Sequence, residues 1–124
     1  MDKVFFLSLG GVFGTLARYY MGNLTHRFFG SNFPFGTLSV NLIGCFLIGL
    51  FGALAEKKLF FGPEMRLLLM VGFCGAFTTF SSYIFETHGL MQNGEMIKAL
   101  GNVVLNIVLG FAIFKLGLIL GEMI

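Results

Sequence analysis

The sequence predicts an all-α membrane protein with four spanning helices. Of its 124 residues, 56% are hydrophobic and only 11% charged. Mean hydropathy is +0.89, whereas a soluble domain carries about a quarter of its residues as charges. Long uncharged stretches alternate with short polar turns, the pattern of a chain whose main solvent is lipid. A hydrocarbon core about 30 Å thick takes about 20 apolar residues per helix. The chain therefore has room for four or five spans and none for a separate soluble domain.

The first span is expected over residues 4–22. It is apolar apart from Arg18, and Gly10 and Gly14 stand four apart, a spacing that lets another helix approach closely. Met1-Asp2-Lys3 before an apolar run resembles a signal peptide, but Arg18 occupies the place where cleavage would be expected, so the run is read as a retained helix. A polar exit follows from Asn23 to Ser31. After the turn-like Asn32-Phe33-Pro34, the second span is expected over 36–56, ending at Glu56-Lys57-Lys58.

Gly62-Pro63-Glu64 reads as a helix start, with proline in the first turn and a carboxylate near the positive end of the helix dipole. The third span, 65–88, is expected to break near its middle. Gly72-Phe73-Cys74-Gly75 and the run Thr78-Thr79-Phe80-Ser81-Ser82-Tyr83 put glycines and hydroxyls where hydrocarbon would be deepest. Gln92-Asn93-Gly94 makes the last turn, and the fourth span covers 97–121, with Lys98 and Lys115 close enough to its ends to snorkel.

Eight Lys or Arg against six Asp or Glu give a net charge of +2, too scattered for a nucleic-acid-binding face. Four spans put both termini on one side. Lys3, Lys57, Lys58, Arg66 and Lys115 then oppose Arg18, Arg27 and Lys98, a weak bias that specifies orientation poorly. Cys45 and Cys74 lie in apolar segments without the spacing of a metal or redox site and read as small buried hydrophobes.

Three features carry chemistry. A helix break in hydrocarbon survives only when buried in protein or lining a cavity, and freed carbonyls around Gly75 and Thr78 would then suit a cation. The alternative is that the glycines serve packing while each hydroxyl bonds back to its own helix. Phe77, Phe80 and Tyr83 recur every three residues, on one face if the helix holds there, and their ring edges could stabilise an anion or simply pack. Asn41, with Thr37 one turn before it, and Asn102 and Asn106 put amides at membrane depth. Amide N–H groups can replace water around an anion, or can join helices.

Arg18 could draw anions to a vestibule or snorkel to headgroups. Glu86 reads as a capping or pairing group, and His26 and His88 take no role. No nucleophile, base and acid share a recognisable spacing, and no carboxylate sits at a span centre. Neither an enzyme nor a proton-coupled carrier is expected.

Three segments resemble the CrcB or Fluc family of fluoride channels. They are Gly10-Gly11-Val12-Phe13-Gly14-Thr15-Leu16-Ala17-Arg18-Tyr19, Gly36-Thr37-Leu38-Ser39-Val40-Asn41-Leu42-Ile43-Gly44 and Gly72-Phe73-Cys74-Gly75-Ala76-Phe77-Thr78-Thr79-Phe80-Ser81. They occur in the family's order and spacing over nearly the whole chain.

The resemblance implies a fluoride-selective channel that lowers cytoplasmic fluoride from a prokaryotic plasma membrane, built as an antiparallel, dual-topology homodimer. It implies a structural, non-transported sodium ion on the backbone carbonyls of Gly75 and Thr78. Its pore aromatics fall on Phe80 and Tyr83, its pore asparagine on Asn41, and its polar track on Asn102, Asn106 and Gly110. Thr79, Ser81 and Ser82 are neighbouring hydroxyls. Tyr83 stands where the family usually has Phe, and Gly110 where a polar side chain is common. The rival readings are a small dual-topology multidrug carrier, which wants a carboxylate in the first span that is absent here, and a non-conducting assembly subunit.

Overall fold

The computed structural model describes residues 2–57 and 61–124, and among them there is no strand. Helix α1 is Asp2–Phe29 and α2 is Phe35–Glu56. The third span, Pro63–Gln92, is divided into α3 (63–77) and α4 (Phe80–Gln92), and α5 is Met96–Met123. Among the described residues, four spans are thus long and apolar enough to cross a membrane. Lys58, where the second span was expected to close, lies outside the described residues.

The helix boundaries follow from backbone chemistry. Proline at the first position of α3 gives up an amide that no helix needs, and Glu64 sits in that positive first turn. Gly30 (φ +81°) and Gly94 (φ +76°) adopt the left-handed conformation that a side chain resists, and each ends a helix. Helix α1 runs to Phe29, through the polar segment expected to be its exit. The reason is local satisfaction. Thr25 donates to Met21 O at 2.7 Å and lies 3.0 Å from the Ser39 hydroxyl on α2, so these polar groups cost the helix nothing and the left-handed glycine stops it instead.

At one end of the bundle, Lys98 Nζ donates to Asn32 O at 3.2 Å and the Phe29 and Phe35 rings lie 5.5 Å apart. At the other end, Lys57 Nζ donates to Glu122 O at 2.6 Å and Arg66 to Ala55 O at 2.8 Å. The four spans therefore run up, down, up, down, and both ends of the described chain lie on one side.

Lipid supplies no hydrophobic drive for helices to meet, so close packing of small residues must. Helix α1 packs on α3 where Gly10 and Gly14 face Gly72 and Phe73. A Cβ at Gly10 would overlap the Leu68 carbonyl oxygen, and one at Gly14 the Phe73 carbonyl oxygen. Gly49, Gly117 and Gly121 form the corresponding seam between α2 and α5. Helix α4 touches mainly the first half of α5, and its outer face, with Phe80, Ile84 and Phe85, is exposed. Two stretches of wider, π-type turns, Arg66–Cys74 and Leu105–Leu109, left no mark in the sequence pattern.

Candidate functional site

The break occupies two residues. Gly75 is still helical (φ −62°, ψ −36°), whereas Thr78 (φ −88°, ψ 160°) and Thr79 (φ −151°, ψ 119°) are extended. In an uninterrupted helix the amides of Thr79 and Ser82 would bond the carbonyls of Gly75 and Thr78. Here Thr79 N donates to Asn41 Oδ1 at 2.9 Å, and Ser82 N to Thr79 Oγ1 at 3.2 Å, which caps α4. The Gly75 and Thr78 carbonyls are thereby freed from those two amides. Thr78 is anchored on its other side, its amide and hydroxyl both donating to Cys74 O, at 3.1 and 2.9 Å.

From the break a chain of side-chain amides crosses the bundle. Asn41 Nδ2 donates to Thr79 O at 3.2 Å and to Asn106 Oδ1 at 3.0 Å. Asn106 Nδ2 donates to Asn102 O at 2.8 Å and Oδ1 at 3.0 Å. Asn102, 1% exposed, donates to Thr87 Oγ1 at 2.8 Å, and Thr87 donates to Tyr83 O at 2.7 Å. Three helical elements are joined without a formal charge, which suits a medium where an unpaired polar group costs several kcal/mol.

Two cavities flank this chain. The larger, about 390 Å³, is lined by the break (Gly75, Thr78, Thr79), by Phe80 and Tyr83, and by Asn41 and Asn106. No Asp, Glu, Lys or Arg borders it. The smaller, about 290 Å³, is bordered by Arg18, Asn23, His26, Thr37, Thr79 and Ser82. Thr79 lines both. A cavity bordered by Arg18 and an uncharged one thus share one hydroxyl-bearing residue. Beside the smaller cavity, Thr37 donates to Glu86 Oε1 at 2.8 Å, while Glu86 Oε2 is buried and has no partner among the described residues.

Of the residues singled out by sequence, Asn41, Gly75, Thr78, Thr79, Phe80, Tyr83 and Asn106 meet around one cavity, and Arg18 and Thr37 around the other. Asn102 borders neither and stands behind Asn106. Ser81 is exposed, its hydroxyl 3.4 Å from Thr79 Oγ1. The three-residue aromatic row does not survive, because the extended Thr78 and Thr79 interrupt the helical register on which it depended. Phe77 stacks on Phe73 (5.4 Å, 15°), while Phe80 and Tyr83 pair with each other at 5.6 Å. Phe80 is 72% exposed and Tyr83 only 5%.

Sequence reasoning missed Thr87, whose position one turn after Tyr83 would have placed its hydroxyl below that carbonyl. It also missed Gly44, which makes room for the Thr78 methyl. Gly110, read as an uncertain end of the polar track, is buried where a Cβ would lie 3.5 Å from Cys45 Sγ, in ordinary contact with α2.

Among the described residues no three His, Cys, Asp or Glu side chains cluster as metal ligands. The donors available at the break are the Gly75 and Thr78 carbonyls. Such hard, neutral oxygens fit a hard cation and not a thiophilic one.

A family model described as CrcB-like protein, Camphor Resistance (CrcB), matches residues 5–118. The chain is 45% identical over 124 residues to a protein of Maridesulfovibrio salexigens named fluoride-specific ion channel FluC, covering 100% of this chain and 98% of that one. Proteins of the same name from Solidesulfovibrio magneticus (42% identical; 100% and 99% covered) and Desulforapulum autotrophicum (43%; 98% and 98%) are similarly close.

Proposed function

From the chain's membership of the CrcB family, we propose that it is a fluoride-selective ion channel, a multi-pass membrane protein that lets fluoride leave the cytoplasm passively. The observation that carries this reading beyond the family name is the uncharged polar cavity at the helix break, joined through Thr79 to a cavity bordered by Arg18. An anion entering hydrocarbon must exchange its water for other donors, yet be held weakly enough to leave. Arg18 raises anion concentration at the mouth. Hydroxyls of Thr37, Thr79 and Ser81, the amide of Asn106, braced from behind by Asn102, and the positive ring edges of Phe80 and Tyr83 then offer many weak contacts and no fixed countercharge. Asn41 lines the same chamber.

The working unit in this reading is an antiparallel homodimer of dual topology. Its support is twofold: Phe80 and Gly75 are exposed beside the break at mid-span, and a polar backbone break cannot face lipid. A second copy inverted about a twofold axis would cover that face, and the weak Lys and Arg bias permits insertion either way. Sodium is the structural ion of this reading. The Gly75 and Thr78 carbonyls, released from their helix amides, would hold it, and four such oxygens from two copies would balance one positive charge without carboxylates.

Reconstitution of the purified chain into liposomes, read with a fluoride electrode, tests the proposal. Fluoride release that needs no proton gradient is expected. Release that follows a proton gradient would favour a carrier, and no release from the chain alone would favour an assembly subunit.

A further inference from the structure

We propose that Asn41 is a positioning residue that holds the break of the third span open, and that it acts on conduction through Thr79. The inference rests on the channel reading above for its link to conduction, and on geometry alone for the clamp.

Thr79 is the extended residue from which α4 restarts: its amide has left the preceding helix, while its carbonyl stands at the N-cap and begins α4. Asn41 meets both. Its Oδ1 accepts from Thr79 N at 2.9 Å and its Nδ2 donates to Thr79 O at 3.2 Å, as the backbone of a neighbouring strand would. The remaining Nδ2 hydrogen goes to Asn106 Oδ1 at 3.0 Å. An amide carries two N–H donors, and both are committed. Turning the amide over would set an NH₂ group against the Thr79 amide and an oxygen against the Thr79 carbonyl. The orientation is therefore fixed.

The clamp substitutes for a helical bond. Without Oδ1, the Thr79 amide would have the Gly75 carbonyl, four residues back, as its nearest backbone acceptor, and the helix could close over the break. Closure would withdraw the Gly75 carbonyl from the cavity and turn the Thr79 hydroxyl away from the point where the two cavities meet. Asn106 is itself held by Asn102, and Asn102 by Thr87, so the clamp is anchored to α5 and α4 at once.

The test follows Thr79 directly. Threonine labelled with ¹³C and ¹⁵N is introduced into the full chain in micelles or bilayers, and the Thr79 Cα and Cβ shifts are compared in wild type, Asn41→Ala and Asn41→Asp. Wild type should show extended-type shifts. Asn41→Ala removes all three bonds, and the Thr79 signals should move to helical or averaged values while fluoride efflux falls at least tenfold. Asn41→Asp keeps the shape and the acceptor for Thr79 N but loses both donors. It should shift Thr79 partway and lower efflux with it, which provides a readout if the alanine variant does not fold.

Efflux lost with Thr79 shifts unchanged would overturn the proposal and return Asn41 to direct contact with the anion. Shifted Thr79 signals with efflux intact would overturn it equally. A wild-type chain that conducts no fluoride would sink the channel reading while leaving the Thr79 shifts to decide the clamp.

Discussion

Gly44 on α2 is where a single methyl group should reach the break. A Cβ there would overlap the Cγ2 methyl of Thr78, falling more than about 1 Å inside ordinary carbon–carbon contact, and would lie 3.5 Å from Thr78 Cβ and 3.6 Å from Phe77 Cδ2. Thr78 cannot step aside freely, because its hydroxyl donates to Cys74 O at 2.9 Å and its amide to the same oxygen at 3.1 Å. Overpacking of this kind costs about 1–3 kcal/mol. Rotating the Thr78 side chain to escape it adds a lost hydrogen bond of about 0.5–1.5 kcal/mol. Gly44→Ala should therefore destabilise the protein by about 2–4 kcal/mol and lower fluoride efflux at least tenfold. Gly52→Ala is the control. It lies two turns further along α2, where an added Cβ meets nothing within 4 Å, and alanine's better helix propensity should leave stability unchanged or raise it by up to about 1 kcal/mol. Denaturation in mixed micelles gives the stability difference, and liposome efflux gives the functional one. If Gly44→Ala behaves like Gly52→Ala in both, the contact between α2 and the break is not as described.

Asn102→Leu removes its side-chain bonds to Thr87 and Asn106 from a site 1% exposed, and at about 0.6–2 kcal/mol per bond in membranes it should cost about 1–4 kcal/mol in the same unfolding assay. Tyr83→Phe should change fluoride flux severalfold and leave oligomeric state as it is; unaltered flux would take the Tyr83 hydroxyl off the path. Replacing sodium by a bulky organic cation on both sides of the membrane should reduce efflux and weaken the homodimer, measured by single-molecule photobleaching in dilute bilayers. A dimer and flux indifferent to sodium would remove the cation from the Gly75 and Thr78 carbonyls.

Much of the fold was legible because lipid imposes a simple code. Apolar runs of sufficient length, with few charges, marked all four spans, and Gly62-Pro63-Glu64 and Asn93-Gly94 marked turns whose chemistry is local. The break was legible as an event and less so as a place. Glycines 72 and 75 suggested where the helix would yield, yet both are helical, Gly72 serving the seam with Gly10. The helix yields at Thr78 and Thr79, where Asn41, 38 residues earlier, offers the Thr79 backbone an alternative partner. No local pattern contains that information. The aromatic row failed for the same reason, since its three-residue spacing assumed a helix that Asn41 and Thr79 interrupt. Seven of the candidate residues nevertheless line one cavity, since polar groups at membrane depth must find each other or water.

The most direct measurement is the reversal potential of the purified protein in a planar bilayer, with a fluoride gradient across it and an equal and opposite chloride gradient. An uncharged, narrow path lined by amides, hydroxyls and ring edges predicts a potential close to the fluoride equilibrium value, with chloride permeability too small to register. A reversal potential near zero, with both halides passing alike, would contradict it.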